Sequence, residues 1–237
     1  MYADFMSSGL LVVGLLLAFF AWFVFGARRD AARREKTLSE FALREGFAQG
    51  RFSLELAGRQ VPVTYTEFWP ELADEFRISR GSKVTINHVL TKSWDGGDIT
   101  LFDFEANDGR RGRAALFQSA SLNLPRFLVH PGVPGVVAEW KGPKESMVMI
   151  GGITIITPDQ PRVERLFTAE SLAFFELRQP GGRTWAEGHE RRLLYYKQST
   201  RSLDSRADFP ADDGIDGFWT GAREIIGLLR AASLAQG

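Results

Sequence analysis

One stretch limits this chain before any other. Phe5 to Ala27 carries no charged side chain, and Leu10 to Phe25 is apolar apart from Gly14. As a helix it would run about 34 Å at about 1.5 Å per residue, enough to cross the hydrocarbon core of a bilayer. A cleaved signal peptide would open on basic residues, hold a shorter apolar core and end on small residues. Here the start is Tyr2-Ala3-Asp4 and the end is Trp22-Phe23-Val24-Phe25-Gly26. The expectation is therefore a retained single-pass anchor over residues 1–27. Arg28, Arg29, Arg33, Arg34 and Lys36 follow it, and no basic side chain precedes it. A basic flank stays in the cytoplasm, which puts the N-terminus outside and everything after the anchor inside. The same five residues are the candidate membrane-surface site. Each would attract anionic lipid by about 1 kcal/mol, diluted by Asp30 and Glu35.

Beyond the anchor the chain reads as globular. Nineteen Phe and six Trp supply large buried surfaces. A net charge of zero argues against nucleic acid as a partner, because phosphate binding needs a basic face. No Cys is present, which excludes disulfides, thiolate metal ligands and Cys nucleophiles.

The hydrophobic pattern gives an α+β fold. Leu38, Phe41, Ala42 and Glu45 lie at helical spacing up to Gly46, so residues 28–48 are expected to form a stalk helix whose last turns dock on the domain. Residues 49–132 read as an antiparallel β-rich subdomain. Arg51 to Leu56 alternates, and Val61 to Tyr65 is a second strand that Pro62 demotes to an edge. Lys83 to Lys92, Ile99 to Ala106, Arg113 to Ala120 and Arg126 to His130 then form a meander. Its turns are Asp95-Gly96-Gly97-Asp98 and Asn107-Asp108-Gly109, both suited to positive φ. Residues 133–146 form a Pro- and Gly-rich linker. Residues 147–237 read as an α+β C-terminal subdomain. It has a buried strand at Ile153 to Thr157, a helical region after Pro158 with Thr168 as a restart, and a hairpin around Gly188. The final amphipathic helix runs from about Ile215 to Ala232, capped by Asp212 or Asp213.

No chemical constellation stands out. His88, His130 and His189 have no pair at ligand spacing, and His189-Glu190-Arg191-Arg192 lacks the second His of a zinc protease helix. Asp103 and Glu105 leave the same face of one strand, as paired carboxylates for acid–base work or a cation would. A solvated sheet face opposite Phe102 and Phe104 explains the same alternation. Arg110, Arg111 and Arg113 flank a turn, where an anion or lipid headgroup would bind, and where a charged hairpin tip is the ordinary outcome. No phosphate loop and no Gly-x-Ser-x-Gly elbow occurs. Trp69, Trp94, Trp140 and Trp185 fit core or edge packing better than a partner surface. The residues assign no catalytic, cofactor or metal site.

Gly97-Asp98-Ile99-Thr100-Leu101-Phe102-Asp103-Phe104, followed by Leu124-Pro125-Arg126-Phe127-Leu128-Val129-His130-Pro131, resembles a family of uncharacterised bacterial single-pass membrane proteins. Leu166-Phe167-Thr168, Leu172 to Phe175, Trp185 and Leu193 to Tyr196 extend the resemblance through about Val84 to Tyr196. It implies a bacterial protein anchored in the inner membrane and supplies no activity. The expectation is a non-catalytic interaction or assembly module on the cytoplasmic face, its partners membrane lipid and another membrane or cytoplasmic protein. The alternative is a sensor that binds a small molecule or lipid between sheet and helices. An enzyme using Asp103 and Glu105 is the third reading.

Overall fold

The computed structural model describes residues 32–49, 52–56, 59–63, 76–77, 84–107, 109–130, 144–178, 184–199 and 214–236, with Trp22, Phe25 and Arg29 as single helical positions. The predicted anchor otherwise lies outside the described residues, as do Arg28, Trp69, Trp140, and Asp212 and Asp213. Among the described residues no helix is long and apolar enough to cross a membrane. The chain divides into two units, Met1–Glu45 and Gly46–Gly237.

In the first unit, residues 32–45 form helix α1. Lys36 and Glu40 pair one turn apart at 3.7 Å, and the Thr37 hydroxyl donates to the Arg33 carbonyl at 3.0 Å. The Arg44 guanidinium lies 5.6 Å from the Phe41 ring centroid. The helix stops where Gly46 takes a φ of +72°, as the sequence leads one to expect.

The second unit is built on strands β1 (Ala48–Gln49), β4 (Val84–Trp94), β5 (Gly97–Ala106), β6 (Arg111–Gln118), β7 (Leu124–His130), β8 (Ser146–Ile150), β9 (Ile153–Thr157), β10 (Thr184–Glu190) and β11 (Arg192–Ser199). A separate hairpin joins β2 (Phe52–Leu56) to β3 (Arg59–Val63). The nine strands make one sheet in the order β1-β4-β5-β6-β11-β10-β7-β9-β8, antiparallel at every pairing. Helices α2 (Gln160–Leu166), α3 (Ala169–Arg178) and α4 (Gly214–Leu234) complete the α+β unit.

The turns follow from glycine placement. Asp95 and Gly96 sit at φ +52° and +75°, and Gly151 and Gly152 at +54° and +80°. Two successive positive φ values give the two-residue turn whose twist matches its strands, so β4–β5 and β8–β9 close tightly. Asp159 caps α2 by accepting from the Arg162 amide, and the Thr168 hydroxyl meets the Ser171 amide at the start of α3.

Two expectations need correction. The meander stops after three strands, because β11 and β10 insert between β6 and β7. Thr184 to Gly188 and Leu193 to Tyr196 are buried in unbroken runs, and a strand buried on both faces belongs inside a sheet. The hairpin also turns at Glu190–Arg191, not at Gly188, which pairs with Leu193 inside the ladder. Gly188 has a packing role instead. A Cβ there would stand 2.2 Å from the Phe127 ring of β7.

The sheet is covered on both faces. On one side Tyr195 packs against Phe218 of α4 and Phe174 of α3, Phe127 meets Phe167, and Trp94 meets Trp219. The apolar stripe of α4, with Ile215, Phe218, Trp219, Ala222, Ile225, Ile226 and Leu229, is buried as its periodicity predicts. On the other side Ile86, Phe102, Phe104, Leu116, Leu128, Ile156, Trp185, Leu194 and Tyr196 form a second cluster with Phe76.

Candidate functional site

Two buried carboxylates interrupt these apolar faces. Glu187 lies on β10, one alternation from Trp185, and is 3% exposed. Its neighbours on the sheet, Leu194 and Leu128, are apolar. The Tyr196 hydroxyl donates to its Oε1 at 2.9 Å, and the Arg77 amide donates to Oε2. The Arg77 guanidinium pairs with Glu145, which also lies 3.9 Å from Arg126. Burial pushes the Glu187 carboxyl up to about 7, against the pull of its Arg77 and Tyr196 hydrogen bonds and the Arg77 and Arg126 charges. The cleft here is lined by Arg77, Arg126, Leu128, Glu145, Ile156 and Glu187, among others, and encloses space of the order of one water molecule. The cluster can hold or release a proton near neutral pH. Beside it, Trp185 stacks on Tyr196 and meets the buried His130 edge-on.

The second carboxylate is Asp103 of β5, on the helix-covered side of the sheet. Its expected companion, Glu105, is exposed, while Asp103 is only 3% exposed. The solvated-face reading is thus corrected for Asp103. Arg113, directly opposite on β6, donates from Nε to Oδ1 at 2.8 Å. His88 approaches from the other side, with Nδ1 3.0 Å from Oδ2. A carboxylate only accepts, so the Nδ1 atom is the donor in this bond. His88 stands in a β-bulge, where β4 puts two residues opposite one of β5, and takes a φ of +52°. A non-glycine residue rarely holds that conformation without surrounding contacts to fix it. Burial raises the Asp103 carboxyl, but the His88 and Arg113 hydrogen bonds and charges outweigh it and hold the group below its ordinary value. Asp103 is therefore a paired anion that orients one exposed imidazole.

The structure does not bring Asp103 and Glu105 together as a working pair. Arg33, Arg34 and Lys36 are exposed on α1, as is Arg29. Arg113 belongs to the Asp103 ion pair, not to a turn cluster. Trp185 is buried core, and Trp94 packs edge-on to Phe117 and Trp219. Sequence reasoning missed Glu187. The signal was there, since Trp185, Glu187 and His189 share one strand face, and a carboxylate beside an aromatic core position needs partners. Among the described residues, no group of three or more His, Asp or Glu is arranged to hold a metal ion.

A nine-stranded antiparallel sheet with helices against one face defines the fold class. A crystal structure with a similar fold is that of the mycobacterial trehalose monomycolate transport factor A, TtfA. The two match with a TM-score of 0.51 and 12% identity, across 84% of this chain and 92% of that one. At that identity the likeness is one of fold alone. No protein-family model and no curated protein matches the sequence.

Proposed function

We propose that this chain is a membrane-tethered, non-catalytic interaction module that serves a transport or assembly system at the inner face of a bacterial membrane. The observation that carries the reading is the fold it has in common with a protein named as a transport factor, over nearly the whole of that protein. The predicted anchor supplies the tether, and Arg28, Arg29, Arg33, Arg34 and Lys36 supply the topology signal and a contact for anionic lipid. The folded unit then presents its surfaces to a membrane or cytoplasmic protein. Purifying the full chain in mild detergent tests this. A partner recovered in near-stoichiometric amount is expected, and nothing above background would sink the reading.

A lipid-binding role is the second reading, since TtfA is named for trehalose monomycolate transport. Mass spectrometry of the same preparation separates the two. A lipid class retained after delipidating washes favours binding, whereas bulk membrane lipid in its native proportions favours the interaction module.

A further inference from the structure

Strand β8 ends the sheet, and among the described residues no strand pairs with its outer edge. It pairs with β9 on one side, and none of its residues makes a hydrogen bond on the other among the described residues. Such edges are usually guarded by a charge, a proline or a twist. Here Ser146-Met147-Val148-Met149-Ile150 carries no charge and no proline. Met149 is 64% exposed and Met147 37%. Val148 points to the opposite face, where α2 packs, and is buried.

We propose that this edge pairs with the same edge of a second copy of the chain, antiparallel and centred on Val148. The strand is complementary to itself in that register. Met147 falls opposite Met149 of the second copy, and Ser146 falls opposite Ile150, so four methionine side chains gather on one face. The ends are complementary in charge. Lys144 falls opposite Gly152 of the second copy, and Glu176 of α3 lies over that turn. The Glu176 Oε1 atom sits 3.4 and 3.8 Å from where Cβ atoms on Gly151 and Gly152 would be. Lys144 and Glu176 are both exposed, and neither makes an ion pair among the described residues. The two-fold axis brings each within reach of the other twice. Five paired residues make a small interface, so tethering both copies in one membrane, which raises their effective concentration, is part of the proposal.

The chain has no Cys, so introduced thiols report the register cleanly. Directly opposed strand residues have Cα atoms about 4.5–5.5 Å apart, within disulfide range. Full-length V148C in native membranes, under mild oxidation, is expected to give a disulfide-linked dimer, and L177C at another exposed site is expected to stay monomeric. Co-expressed M147C and M149C, which alter only exposed positions, are expected to form the mixed dimer far more than either does alone. E176K is expected to reduce the V148C dimer several-fold, and adding K144E to restore it. The proposal is overturned if V148C and the M147C/M149C pair stay monomeric, if L177C links equally, if the charge swap changes nothing, or if V148C links to a different protein. If the partner of the interaction module is recovered while these thiols stay unlinked, only the present inference falls. If the dimer forms and no partner is recovered, it stands without that reading.

Discussion

Glu187 and Asp103 show how much a carboxylate's behaviour depends on what faces it. Both are inside the sheet, yet Glu187 is held up to about 7 by burial while Asp103 is held low by Arg113 and His88. The consequences for stability have opposite signs. Folded Glu187 binds a proton more readily than it does unfolded, where its value is about 4.5. Its contribution is full below pH about 4.5 and is lost as the pH rises through about 7, a change of at most about 3 kcal/mol. Asp103 does the reverse, with stability present above its ordinary value and lost in acid. Thermal unfolding from pH 5 to 8 should show a falling melting temperature, and E187Q should flatten that slope and be the more stable protein at pH 8. An unchanged slope in E187Q would assign the pH dependence elsewhere. At the second site, D103A removes a buried carboxylate together with its bonds to Arg113 and His88 and should cost about 3–5 kcal/mol in chemical denaturation. H88A, at an exposed position, should cost clearly less. The sequence pointed to Asp103 as a residue of interest but for the wrong pairing. Alternation along β5 places Asp103 and Glu105 together, whereas the cross-strand register that gives Arg113 and the bulge that gives His88 come from two other strands.

Elements were legible where their local chemistry was strong. Asp95-Gly96 and Gly109 sit at positive φ in turns the sequence marks, and the α4 stripe demands a helix, so those turns and that helix were legible, whereas the Gly151-Gly152 turn that makes β8 and β9 a hairpin was not read. The strand order was not legible, because a short apolar strand says that it is buried and not beside which neighbour. Gly188 is the instructive case. Read alone, it suggests a turn, but the ring of Phe127 from another strand is the reason for it. G188A should therefore destabilise the unit by about 1–3 kcal/mol, as overpacking of a buried contact does. F127L should recover part of that loss in G188A while costing stability on its own. A double-mutant cycle by urea unfolding checks the coupling, and strictly additive losses would mean the two positions do not meet as described. W219A, at the junction of α4 with Trp94 and Phe47, should cost about 3–5 kcal/mol.

At the scale of the whole molecule, an apolar segment followed by five basic residues was the most readable feature, and the role of the folded unit the least. An interaction module advertises itself through surfaces whose meaning depends on the partner, and no fixed residue spacing marks them. Topology is directly checkable. With no native Cys, full-length L177C should be inert to an impermeant maleimide on intact cells and labelled once the membrane is opened. Labelling on intact cells would put the folded unit outside. The most direct test of the central claim compares what co-purifies, after cross-linking in cells, with the full chain and with a chain lacking Met1 to Ala27. A membrane-tethered module should bring down a defined partner with the full chain and lose most of it without the anchor. The same set of proteins from both chains, or none above background from either, would contradict the account.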